Sequence, residues 1–168
     1  MVRTDTCNNT VAQADCDVTC WNNFGCVNYC DTDEVLHCGD EIHGSTVGAE
    51  NRTTYYYNSQ TTRDDMYGPE VSYKFTSECD GEFSLQFASD ASLAVFVIKE
   101  SSNHCSNSHL VDYGSYLNNV VSWAAESGNT YYIVVDGYDG AAGDFDLQVL
   151  CFCGNCLDND EDNFYGYD

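Results

Sequence analysis

Between Thr130 and Leu150 the chain reads TYYIVVDGYDGAAGDFDLQVL, a strand, a Gly-rich turn and a second strand. Tyr131, Ile133 and Val135 alternate with Tyr132, Val134 and Asp136, so the first strand is apolar on both faces as far as Val135. A strand of that kind belongs in the middle of a sheet that is covered on both sides. Its partner alternates cleanly, with Phe145, Leu147 and Val149 against Asp146, Gln148 and Leu150, as a half-exposed strand should. The turn crowds Asp136, Asp139 and Asp144 among Gly137, Gly140 and Gly143. Glycine allows the sharp turning that would let these carboxylates converge. Converging carboxylates repel one another unless a cation lies among them. Two readings stay open: a solvated acidic hairpin, or a Ca2+ site.

The remaining strand signals agree with an all-β chain. Val71, Tyr73 and Phe75 alternate with Ser72, Lys74 and Thr76, and Phe83, Leu85 and Phe87 with Glu82, Ser84 and Gln86. Ser92 to Lys99 is almost wholly apolar, Val120 to Glu126 carries Trp123 on one face, and Thr54 to Asn58 is a short aromatic strand. Such strands, spaced by turn signals and without an amphipathic helix, predict an antiparallel, jelly-roll-like β-sandwich. Three regions follow: a cysteine-rich N-terminal arm over residues 1–37, the sandwich over 38–151, and an aspartate-rich tail over 152–168.

The chain has 28 acidic residues against 5 basic ones, a formal net charge of −23. That balance repels nucleic acid and anionic membranes, and neither is expected as a partner. No apolar run approaches the roughly eighteen residues of a transmembrane helix, so no membrane insertion is expected. Eleven cysteines point to an oxidising compartment, secreted or at the cell surface. Met1-Val2-Arg3 leads into polar residues, which fits a targeting peptide already removed or a piece of a longer protein. Asn8 and Asn51 head glycosylation sequons.

Cys38 and Cys151 bracket the sandwich and are expected to pair, with Cys79–Cys105 as the next bridge. In the arm, Cys16/Cys20 and Cys26/Cys30 share a Cys-x-x-x-Cys spacing that suits nested disulfides, Cys16–Cys30 and Cys20–Cys26. A Zn2+ site is the other reading, although four-cysteine zinc sites use tighter pairs. The odd cysteine count leaves at least one thiol free or bonded to another chain. Cys153-Gly154-Asn155-Cys156 has redox spacing but lacks the βαβ context, so a structural bridge to the arm is preferred.

In the tail, Asp158, Asp160 and Asp162 occupy alternate positions, as the side-chain ligands of a Ca2+ loop do. Asn163 stands where such loops place Gly, which weakens the match, and a solvated acidic tail is the alternative. No His-Glu-x-x-His, Gly-x-Ser-x-Gly or phosphate-cradling loop is present, and His37, His43, His104 and His109 fall in expected loops.

Four segments in fixed order, CGDEIHGSTVGA from Cys38, GPEVSYKFTSECDGEFSLQF from Gly68, SLAVFVI from Ser92 and the hairpin itself, resemble the bacterial pre-peptidase C-terminal (PPC) domain family. The resemblance implies a β-sandwich module of secreted proteins with no catalytic centre of its own. The tail resembles aspartate-rich repeats of the thrombospondin type 3 kind. That implies Asp158, Asp160 and Asp162 as Ca2+ ligands, with the Phe164 carbonyl and Asp168 completing the loop. The expected function is non-catalytic: a Ca2+-stabilised adhesive or structural module, including the subunit of a surface filament. Its partners would be a cell-surface protein or polysaccharide, or copies of itself. The alternatives are an accessory substrate-binding domain of a secreted protease or other hydrolase, and an enzyme built on the sandwich.

Overall fold

The computed structural model describes residue 32 and residues 34–57, 62–63, 65–100 and 109–153. Eleven strands run in chain order: β1 (Val35–Leu36), β2 (Glu41–Ser45), β3 (Tyr56–Tyr57), β4 (Thr62–Arg63), β5 (Val71–Thr76), β6 (Gly81–Ala88), β7 (Leu93–Lys99), β8 (Leu110–Ser115), β9 (Val120–Ala125), β10 (Thr130–Gly137) and β11 (Asp144–Cys153). No α-helix occurs among the described residues. One sheet has the order β1-β5-β10-β7-β8, the other β2-β11-β6-β9, and β3 and β4 form a separate ribbon. All pairings are antiparallel except β1 with β5. The all-β sandwich expected from period-2 alternation is the fold observed.

The principal core lies between the sheets. Phe75, Tyr131, Ile133 and Val135 of the five-stranded sheet meet Phe83, Phe87, Trp123 and Phe145 of the other. Phe83 and Trp123 stack at 5.9 Å between centroids, and Phe75 meets Trp123 edge-on at 6.2 Å. Both are arrangements that aromatic pairs favour. On β2, Gly44 lies under the Phe145 ring, where a Cβ would collide with it.

A second core lies on the opposite face of the five-stranded sheet. It gathers Tyr56, Met66, Phe96, Ile98, Leu110, Tyr132 and Val134. The cover comes from the chain around Tyr56 and Met66, residues 50–57 and 65–69, here called the strap. Tyr56 stacks on Phe96 at 3.8 Å, and Met66 bridges to Tyr138. The two-faced apolarity of β7 and β10 thus has its physical counterpart: both are central, and both faces are buried.

The chain ahead of Cys38 already belongs to the sheet, since Val35 and Leu36 pair with Lys74 and Phe75 and the Thr32 hydroxyl donates to the Ser72 carbonyl. Of the short aromatic strand expected over Thr54 to Asn58, Tyr56 and Tyr57 form β3, which pairs with β4 outside the two main sheets, and Tyr56 serves as cover.

Cys38 and Cys151 are joined, as their bracketing positions suggested, with Cα atoms 5.6 Å apart. Cys79 is joined to Cys153 and not to Cys105. The cause is register: β6 and β11 pair so that Cys153 faces Gly81, two residues from Cys79. This alignment also rules out the bridge from Cys153 to the arm. Cys16–Cys30, Cys20–Cys26, Cys105 and Cys156 lie outside the described residues.

The Cys38–Cys151 bridge spans 113 residues of sequence. In the chain-entropy account, a loop of that length is worth about 5 kcal/mol. The Cys38→Ser/Cys151→Ser variant is therefore expected to lose about 4 kcal/mol of stability. Equilibrium denaturation under non-reducing conditions measures this, and an unchanged midpoint would contradict it.

Candidate functional site

The hairpin aspartates are the first place to look for chemistry, and they are dispersed. Asp136 is on the strap-covered face of β10, in the row of Tyr132 and Val134, with no exposed surface. Its Oδ2 accepts the Tyr56 hydroxyl at 2.9 Å and its Oδ1 accepts the Gly137 N–H at 2.6 Å. Burial pushes its carboxyl up to about 7, against the opposing pull of those two donors. Asp139 and Asp144 are exposed. Asp139 takes a positive φ of 49°, and Gly140 follows at 85°, so the loop curls on itself without gathering carboxylates. No three His, Cys, Asp or Glu side chains among the described residues are placed to hold a metal ion. The convergence expected of Asp136, Asp139 and Asp144 is therefore corrected. The pleat sends Asp136 inward, while Asp139 in the turn and Asp144 at the start of β11 face solvent.

A residue that sequence reasoning passed over joins Asp136 in the interior. Glu70 is 2% exposed and accepts the N–H groups of Arg52 and Thr53 on Oε2, at 3.2 and 3.1 Å. Its carboxyl is pushed up to about 8, first by burial and then by the charge of Asp136. The available signal was its place one residue before the inward Val71, which sets it on the other face.

Asp158, Asp160, Asp162, Phe164 and Asp168 lie outside the described residues, as do Asn8 and His104. Asn51 is exposed, and its amide donates to the Tyr67 carbonyl at 2.8 Å. His43 is not in a loop: it lies on β2, hydrogen-bonded across the strand pair to Asp146.

The second candidate is the outer face of the four-stranded sheet. Alternation turns Glu41, His43, Gln86, Val120, Ser122, Asp146 and their row-mates outward. Cross-strand register sets His43 beside Asp146 and Ala88, then Glu41 beside Gln148, Gln86 and Val120. Gln148 donates to Glu41 at 2.8 Å. Small residues, Ser84, Ala88, Ser122 and Ala124, are spread over the face, with half-buried Leu150 beside Ser84 and the exposed Phe152 and Val120 nearer the strand ends. None of the chain's five Lys and Arg residues is on these four strands. At one end a shallow groove of about 900 Å3 opens beside Ser45, Ser89, Tyr116, Asn119 and Asp144.

Fold and site together define a disulfide-tied β-sandwich in which, among the described residues, one outer sheet face is covered and the other is not. No protein-family description and no curated protein matches the chain. Among solved structures it is similar to the pre-peptidase C-terminal domain of a collagenase from Bacillus anthracis, at 16% identity and a TM-score of 0.46, over 69% of this chain and 92% of that one. It is also similar to PliG of Aeromonas hydrophila, a periplasmic inhibitor of g-type lysozyme, at 10% identity and a TM-score of 0.49, over 71% of this chain and 95% of that one. A third is the Yersinia pseudotuberculosis-derived mitogen, at 9% identity and a TM-score of 0.43, over 73% and 93% of the respective chains.

With the hairpin carboxylates apart, Asp139→Asn/Asp144→Asn is expected to leave any Ca2+-dependent rise in melting temperature unchanged. Thermal melts in Ca2+ and in chelator test this. Loss of the rise in the variant would restore the hairpin as a cation site.

Proposed function

We propose that the protein is a non-catalytic extracellular module for adhesion or structural assembly, with the outer face of the four-stranded sheet as its contact surface. The observation that carries this reading is the asymmetry of the sandwich. Among the described residues the strap covers one outer face and nothing covers the other. A face that combines small residues, amides for hydrogen bonding and a few apolar side chains lets a partner approach closely. Disulfides support an oxidising, extracellular setting.

Self-assembly, as in a surface filament, is the preferred version. Copies that each carry −23 repel one another, so their association calls for counter-cations. In this reading Asp158, Asp160 and Asp162, with the Phe164 carbonyl and Asp168, hold Ca2+ in the tail, and the unpaired cysteine is available to link subunits. The chemistry the cation supplies is neutralisation of converging carboxylates.

Sedimentation velocity in millimolar Ca2+ and in chelator is the test, run beside non-reducing electrophoresis. The parent is expected to form higher species in Ca2+. The face variant Glu41→Gln/Glu82→Gln/Asp146→Asn is expected to lose them. A charge-matched control, Glu34→Gln/Glu78→Gln/Glu126→Gln, is expected to keep them. A parent that stays monomeric throughout would sink self-assembly. Equal behaviour of the two variants would remove the face from the proposal. Turnover of peptide or glycan substrates by the isolated chain would overturn the non-catalytic reading.

A further inference from the structure

Glu70 and Asp136 stand opposite each other across a strand pair. β5 and β10 are in register from Thr76↔Thr130 to Val71↔Val135. Continued one step beyond the paired residues, that register brings Glu70 toward Asp136, whose charge acts on it, while the Glu70 N–H turns to the Glu50 carbonyl. Val71 and Val135 pack with the inter-sheet core, so both acids face the strap. Side chains in such a relation have Cβ atoms about 5 Å apart. At 2% and 0% exposure, no bulk water separates the carboxyl groups.

The groups facing the pair can be named element by element. The strap supplies the Arg52 and Thr53 N–H groups to Glu70 and the Tyr56 hydroxyl to Asp136. β10 supplies the Gly137 N–H. β7 presents Ala94 opposite Asp136, without charge. Arg52 is the nearby cation, and its guanidinium is 3.7 Å from Glu50. Asp65 lies beside the Met66–Tyr138 bridge, and no third acid completes a cation cage among the described residues. One oxygen of the pair, Glu70 Oε1, is buried with no hydrogen-bond partner.

Two ionised carboxylates in this dry setting would repel strongly, and an orphaned buried oxygen adds its own desolvation cost. A proton relieves both, because a protonated carboxyl becomes a donor and one charge disappears. We propose that Glu70 and Asp136 hold a proton between them at neutral pH and that this proton fastens the strap to the five-stranded sheet. Loss of the proton to solvent leaves two facing anions whose repulsion loosens the strap. The proposal concerns the clasp alone and is independent of what the open face binds.

Both groups titrate well above their ordinary values of 4.5 and 3.8, Glu70 at about 8 and Asp136 at about 7. Between those limits the native state keeps protons that the unfolded chain has released. Stability therefore falls as pH rises through this window and levels off above it.

The test compares the parent with Glu70→Gln from about pH 5 to about pH 9, by denaturant unfolding and by hydrogen exchange of peptides covering residues 50–57. Gln keeps an acceptor for the Arg52 and Thr53 N–H groups and cannot ionise. The parent is expected to lose stability across the window, with strap exchange rising beyond the intrinsic pH effect. The variant is expected to be the more stable protein at the alkaline end, with a shallower loss of stability and a smaller rise in strap exchange, the part that remains coming from Asp136. A parent with flat stability, or a variant that follows the parent's slope, overturns the proposal. Infrared spectroscopy of the parent provides a reading that does not depend on the variant folding. A protonated-carboxyl stretch at neutral pH that vanishes at alkaline pH supports the clasp, and absence of that band at neutral pH overturns it.

Discussion

The structure depends on a requirement of the five-stranded sheet: both of its faces must be kept from water. β7 and β10 offer apolar side chains in both directions, so a single opposing sheet cannot satisfy them. One face meets the four-stranded sheet, and the other needs a cover. The cover is irregular chain, and irregular chain brings backbone N–H groups into the interior that must be hydrogen-bonded. Glu70 answers this at the strap, taking the N–H groups of Arg52 and Thr53. The interior acids follow from the two-sided sheet in this way. An irregular strap needs a buried acceptor, and a carboxylate is a strong one.

The four-stranded sheet has the simpler task. Its inward residues fill the core, and its outward residues alternate polar or small. Among the described residues no element covers this face, so its side chains are released from packing constraints. Lys74 and Lys99 sit on the five-stranded sheet and Arg52 in its cover, while the polar side chains of the uncovered face are acids, amides, hydroxyls and His43.

Much of this was legible in the sequence because period-2 alternation is a local signal. β5, β6 and β11 each carry it over six residues or more, whereas β7 and β10 are legible as continuous apolar runs. The central position of β10 was legible from Tyr131 to Val135 alone. β2 was missed because EIHGS has one apolar residue, Ile42, and its Gly44 works only through the Phe145 ring of a strand about a hundred residues away. The partner of Cys79 was missed for a similar reason, since the β6–β11 register is a long-range fact. Asp136 attracted notice for the wrong neighbours. Its Gly-rich loop suggested Asp139 and Asp144, whereas the strand pairing supplies Glu70. A carboxylate at the end of an apolar strand should be assigned first to its row on the sheet and only then to the adjoining loop.

The fasteners lie at opposite ends of β10. Near Thr130, the β5–β6 turn is held against β10 by the Ser77 N–H donating to the Asn129 carbonyl, and the Cys79–Cys153 bridge anchors that turn to β11. Cys38–Cys151 ties the β1–β2 turn to the same strand two residues earlier. Near Gly137 the fastening is polar: Tyr56 on Asp136, the strap N–H groups on Glu70, and Gly68 donating to the Gly137 carbonyl. Covalent bridges hold regardless of pH, whereas the polar end depends on which carboxyl groups carry a proton. If one end yields first under alkaline conditions, the chemistry assigns that role to the strap end, while the two bridges keep β11 and its open face in register.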